Sequence, residues 1–297
     1  MNLDLEKFKG VYPALVTPYD RKGRVDEDVL RSLVDWHLSA GVRGFFVCGS
    51  TGEGLLLTTE ERRRVAEVVA EHLGGRGICI VHVGHPSSEE SALLARHAHE
   101  VGADAVSSIP PIYYRVGLEG VLLHYRTIAD ATSLPLFVYN IPVTTGVRIT
   151  AEDMGHIFRI PSVVGMKYTD ADYYEMRNIL DLADREVLVL SGRDELFLPA
   201  LTMGAEGSIG TTQNIFPELF VGIYEAFSGG DWKRAMELQL RASRAIRILL
   251  GHGGLDAWKA VLRFKGFPVG HPRPPLRAIS PDEEEKIVQD LSSLKLL

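Results

Sequence analysis

The chain has only two cysteines in 297 residues, Cys48 and Cys79, and both sit inside apolar runs. That rules out a disulfide framework or a thiolate metal cage and leaves two buried, reduced thiols. No apolar run reaches the roughly 18 uninterrupted residues of a membrane span. A surplus of basic residues is also missing: 32 Lys and Arg stand against 39 Asp and Glu, for a formal net charge of −7. A nucleic-acid groove or a face for anionic lipid would need the opposite balance, clustered. The first segment, MNLDLEKFKG, carries acids where a secretory signal would carry a basic end and an apolar run. No G-x-G-x-x-G follows any strand-like run, so a dinucleotide fold has no support. These absences point to small-molecule partners, no nucleic acid, no membrane and a cytoplasmic protein.

What the chain does have is apolar residues, 45% of the total against 24% charged, enough for one large core. Short runs rich in Val, Ile and Phe alternate with stretches of helical periodicity. The strand-like runs are VYPALVTPY, GFFVCG, GICIVHVGH, DAVSSIPP, PLFVYNIP, VVGMKYT, VLVLSG and GSIGTT, with helical patterns such as EDVLRSLVDWHLSAG and TEERRRVAEVVAEHL between them. The runs are nearly continuous in apolar residues, as parallel strands covered by helices should be. Eight such repeats in this length predict an α/β fold, a (β/α)8 TIM barrel. After the eighth run only helical patterns remain, so residues 8–224 are assigned to the barrel and 225–297 to a C-terminal helical extension.

In such a barrel the strand C-termini converge on one face, and a polar residue ending an apolar strand is a candidate for chemistry. Lys167 in VVGMKYT holds that position. A buried amine with an available lone pair attacks carbonyl carbon, so a Schiff base is the natural hypothesis. The plain alternative is a lysine that snorkels to solvent or pairs with Asp170 or Asp172. One strand earlier Tyr139 ends PLFVYNIP, placed to move protons, unless it is merely a hydrogen-bonded aromatic at the mouth. In CGSTGEG the glycines permit a tight turn, while Ser50 and Thr51 offer hydroxyls and N–H donors suited to a carboxylate. A simple helix cap at Thr51 competes with that reading.

Taken in order, GSTGE, PPIYYR, VYNIP, GMKYT and GRDE make the chain resemble, over nearly its full length, the dihydrodipicolinate synthase and N-acetylneuraminate lyase family. The resemblance implies a homotetrameric class I aldolase that binds pyruvate as a Schiff base, with no other cofactor and no metal. Carried over by position, it implies that Lys167 is the Schiff-base lysine, Tyr139 the catalytic phenol, and Ser50 and Thr51 the holders of the pyruvyl carboxylate. It further implies that Tyr114 reaches a neighbouring subunit's site; Arg115 stands where many members have asparagine. Thr144 stands where the synthases carry an arginine for an anionic aldehyde, and losing such a charge-assisted partner moves the reading toward the lyases. On that branch Thr169, Gly192, Asp194, Glu195 and Thr211 contact the sugar hydroxyls, with Thr211 in place of a usual serine and Arg193 in place of an aromatic. An ordinary helix N-cap at Asp194 is the competing assignment.

Three rival readings remain. His82 and His85 in IVHVGH raise a metal-dependent aldolase, although residues three apart on a strand point to opposite faces. The glycine-rich GAEGSIGTT raises a phosphate cradle, but it holds no basic residue. A non-catalytic 2-oxo-acid sensor would have no need to keep both Lys167 and Tyr139. Among enzymes, a 2-keto-3-deoxy sugar-acid aldolase or dehydratase and the synthase stay open beside cleavage of N-acetylneuraminate.

Overall fold

The computed structural model describes residues 4–297. Eight parallel strands form the expected barrel: β1 (Gly10–Pro13), β2 (Gly44–Val47), β3 (Ile78–His82), β4 (Ala105–Ser108), β5 (Leu136–Asn140), β6 (Val163–Tyr168), β7 (Leu188–Ser191) and β8 (Gly207–Gly210). Hydrogen bonding runs in the order β1-β8-β7-β6-β5-β4-β3-β2. A parallel bridge from Ala14 to Phe46 brings the two ends together.

The helices are α1 (Glu27–Ser39), α2 (Thr59–Leu73), α3 (Ser88–Glu100), α4 (Gly117–Ala131), α5 (Pro142–Thr145), α6 (Ala151–Ile157), α7 (Tyr173–Asp181), α8 (Phe197–Thr202), α9 (Pro217–Ser228), α10 (Trp232–Gly251), α11 (Leu255–Phe264) and α12 (Pro281–Ser293). Their starts are written in local chemistry. The Thr58, Thr150 and Ser280 side chains each accept a backbone N–H from three residues on, and their own N–H groups donate to the Glu61, Asp153 and Glu283 carboxylates, which satisfies two orphan donors per helix.

Alternate strand positions split the core in two. Tyr12, Phe46, Ile80, Ala105, Phe137, Leu188 and Ile209 fill the barrel interior, closed below by Leu5 and Phe8. The opposite faces, including Phe45, Val81, Val138 and Val189, pack under the helices. This leaves polar positions inside the barrel only near the strand C-termini, where a site can be built.

The strands are shorter than the sequence pattern implied. VYPALVTPY ends as a strand at Pro13, since beyond it the Ala14, Leu15 and Val16 N–H groups donate to Gly210, Phe46 and the Asn214 side chain in turn. Those residues stay buried, so their apolar run marks a loop under the C-terminal helices. The division expected between residues 224 and 225 falls within α9.

Candidate active site

Lys167 owes its direction to an irregularity. The β5–β6 register shifts between Leu136 and Phe137, pairing Leu136 with Val163 but Phe137 with Gly165. From there Tyr139 lies directly beside Lys167, both facing the barrel interior. Only 3% of Lys167 is exposed. Its Nζ lies 4.1 Å from the centre of the Tyr139 ring and 4.4 Å from that of Phe46, so two aromatic faces stand where a carboxylate partner would. Asp170 and Asp172, the partners of the alternative reading, turn away: Asp170 accepts the Ala171 N–H, and Asp172 caps α7 through the Glu175 N–H.

The β2 loop brings the hydroxyls in. Ser50 Oγ is 3.3 Å from the Tyr139 hydroxyl, and Thr51 Oγ1 is 2.7 Å from Thr211 Oγ1 across the mouth. Only glycine allows this turn to close, because a Cβ on Gly54 would lie 1.8 Å from the Cys48 carbonyl oxygen. Cys48 itself is sealed, and burial pushes its thiol up to about 11.

Thr169 and Gly192 meet on the next two loops. A Cβ at Gly192 would lie 1.9 Å from Thr169 Oγ1, and that hydroxyl is buried with no partner. A buried, unpaired hydroxyl is costly, so it marks a place where a ligand group fits.

The structure separates the acidic pair. Asp194 accepts the Thr212 N–H at 2.6 Å and the Gln213 side chain at 3.0 Å, buried between β7 and β8. Glu195 stays at the mouth, about a third exposed, paired with Arg193 at 3.1 Å. Burial raises the Asp194 carboxyl from 3.8 to about 6, against the pull of its two donors. A carboxyl raised in the fold binds more protons folded than unfolded, so its contribution to stability falls as pH rises from about 4 to 6. The span corresponds to about 3 kcal/mol. Thermal unfolding should show the parent losing ground to Asp194→Asn over that window; a constant difference between the two would refute the assignment.

Two residues near the mouth take on roles the sequence did not assign them. His82 faces the interior, edge-on to Tyr139 at 5.6 Å between ring centres, with Nδ1 3.0 Å from the Cys48 carbonyl. That bond makes Nδ1 the donor, and burial holds the ring well below its usual pKa, so Nε2 is a buried acceptor without a partner. His85 instead accepts the Ser87 N–H, and no cluster of three or more metal-binding side chains exists among the described residues. The second residue is Tyr113, whose φ of +75° is strained for an aromatic side chain. Tyr113 and Tyr114 are 88% and 69% exposed and stack edge to face at 5.0 Å, away from Lys167 on the rim. A cavity between them and Arg148 opens beside the barrel mouth. Thr144 lies on another wall with Ser50 and His82, where no cation faces the opening.

The sequence model of the Dihydrodipicolinate synthetase family matches residues 7–294. An N-acetylneuraminate lyase of Citrobacter koseri is 40% identical over 258 residues, 86% of each chain. The wild-type sialic acid aldolase of Ruminococcus gnavus superimposes with a TM-score of 0.92 at 30% identity, covering 97% of this chain and 98% of its own. Dihydrodipicolinate synthase from Aquifex aeolicus superimposes with a TM-score of 0.91 at 30% identity, covering 97% of this chain and 98% of its own.

Proposed function

The chain belongs to the dihydrodipicolinate synthetase family, and from that premise we propose that it is a class I aldolase, a carbon–carbon lyase that reversibly cleaves N-acetylneuraminate or a close sugar acid to pyruvate and an aldose. The observation that carries this is a buried lysine without a carboxylate partner, beside a tyrosine hydrogen-bonded to Ser50.

The amine of Lys167 attacks the C2 carbonyl, and loss of water gives the protonated imine. Tyr139, left as a phenolate after giving its own proton to the hydroxyl that departs as water, takes the proton of the C4 hydroxyl; the C3–C4 bond breaks, and its electrons move into the imine to form an enamine. The aldose leaves with its new carbonyl. A proton then returns to C3, and water hydrolyses the imine to free pyruvate and Lys167. Ser50 and Thr51 hold the pyruvyl carboxylate. Thr169, Gly192, Glu195 and Thr211 line the path of the hydroxyl chain, with Asp194 setting the loop from behind through Thr212 and Gln213.

Thr144 favours a neutral aldehyde, because a carboxylate arriving at that wall finds no Lys or Arg side chain to receive it. A panel of N-acetylneuraminate, 2-keto-3-deoxy acids and pyruvate with aspartate semialdehyde decides the branch. Pyruvate release from a sugar acid is expected; efficient condensation with the semialdehyde and no sugar-acid cleavage would overturn the reading. Within the same panel Glu195→Gln should raise KM for the sugar acid about tenfold, the cost of a charge-assisted hydrogen bond. Pyruvate capture should not move, and an equal loss of both would remove Glu195 from the distal half.

The protein works in the cytoplasm as a homotetramer needing no metal. Tyr113 and Tyr114 support that assembly: a strained, exposed pair at the rim is ready to enter a second copy's mouth, with Tyr113 the better placed by its backbone.

A further inference from the structure

The C-terminal helices touch none of the reacting groups, yet consecutive residues of one of them hold both halves of the mouth. Trp258 Nε1 on α11 donates to Thr212 Oγ1 at 3.1 Å, one residue from Thr211. Lys259 Nζ donates to Glu53 Oε1 at 2.7 Å, two residues from Thr51, and both side chains are 0% exposed. Thr51 and Thr211 are the pair whose hydroxyls lie 2.7 Å apart.

The Lys259 bond is one part of a saturated network. Its Nζ also donates to the Thr17 carbonyl at 3.0 Å and lies 4.4 Å from the centre of the Tyr19 ring. Glu53 Oε2 accepts the Arg273 N–H at 2.7 Å, and Thr17 Oγ1 donates to the Gly52 carbonyl at 2.7 Å. Glu53 has φ +57°, a conformation that survives only where its surroundings over-determine it. A fully buried ion pair is weak as a source of stability compared with apolar packing, but it fixes geometry when every donor and acceptor is matched. The same logic extends to α10, where Gln239 donates to the Asp194 carbonyl and Ser243 to that of Glu195.

We propose that α11 is a clamp for the substrate carboxylate: Trp258 and Lys259 are positioning residues that fix Thr51, which holds the carboxylate, both through Glu53 and through Thr211, whose hydroxyl lies 2.7 Å from that of Thr51, and so set the affinity for pyruvate. The clamp rests on the aldolase reading above and adds a task for the C-terminal extension. It acts on capture, since neither residue reaches Lys167 or Tyr139.

The test reads the pyruvate concentration that half-saturates borohydride trapping on Lys167, with kcat and KM alongside. Trp258→Phe keeps the packing and removes the donor, so half-saturation should rise about fivefold, as one net hydrogen bond of about 1 kcal/mol predicts. Maximal trapping and kcat should stay near the parent's. Thr212→Val removes the acceptor, and the double variant should be no worse than either single one, because the pair acts as one contact. Lys259→Met alone strands a buried carboxylate, so it is made with Glu53→Gln; that neutral pair should fold and shift half-saturation by about tenfold or more. Folded Trp258→Phe and Lys259→Met/Glu53→Gln proteins with parent half-saturation would overturn the clamp, as would additive effects of Trp258→Phe and Thr212→Val. A parent that pyruvate and borohydride fail to label refutes the aldolase reading itself and takes the clamp with it.

Discussion

Lys167→Ala is expected to abolish covalent capture of pyruvate and all aldol cleavage, with the fold intact. Borohydride reduces an imine to a stable secondary amine, so the adduct reports which lysine formed it. The chain offers an internal contrast. Lys259 is as deeply buried as Lys167, but its Nζ is locked between Glu53 and the Thr17 carbonyl, with no lone pair free for attack. Lys167 faces only aromatic rings, and loss of its side chain leaves the pocket of Phe46 and Tyr139 empty of any nucleophile. Mass spectrometry of the reduced adduct should therefore place the label on Lys167 in the parent and nowhere in the variant. Undiminished labelling and activity in Lys167→Ala would sink the mechanism. So would complete loss of activity in a chelator that a divalent ion restores, since an imine supplies the electron sink by itself.

All eight strands were legible in the sequence because a parallel strand covered on both faces must be apolar throughout, and short Val- and Ile-rich runs have few other readings. The position of Lys167 at a strand end was legible for the same reason. Its neighbour relation to Tyr139 was not, because that depends on a register shift between Leu136 and Phe137, which no period in either segment announces. The acidic pair reads as a unit in GRDE, yet Asp194 turns inward to Thr212 and Gln213, and only the loop after β8 says so. His82 was set against a metal by strand geometry and by the competing lysine; its actual partner is the carbonyl of Cys48, just past the end of β2. Glu53 looked like part of a glycine-rich turn, and its reason lies 206 residues away at Lys259. Local periodicity carries the fold, whereas polar partners far apart in the chain carry the site.

Tyr139→Phe should lower turnover by about two or more orders of magnitude, the range of a removed general acid–base group. The substitution deletes one oxygen from a ring whose other contacts are apolar: edge-to-face packing on Phe46 at 5.5 Å and on His82 at 5.6 Å. Lys167 Nζ keeps the aromatic face 4.1 Å away. Stability should therefore change by about 1 kcal/mol at most, the net worth of the 3.3 Å contact with Ser50. The kinetic consequence is larger because C3–C4 cleavage needs a base at the C4 hydroxyl while the positive imine waits beside it. Ser50→Ala leaves the phenol and removes the hydroxyl that aims it and helps hold the pyruvyl carboxylate, so KM should rise while its loss in kcat is the smaller. In Tyr139→Phe, pyruvate labelling of Lys167 should still approach its end point, since the amine and its pocket remain, while cleavage of the sugar acid collapses. Parent-like turnover in the folded variant would reduce the Tyr139 hydroxyl to a packing group, and the proton would have to leave C4 by another route.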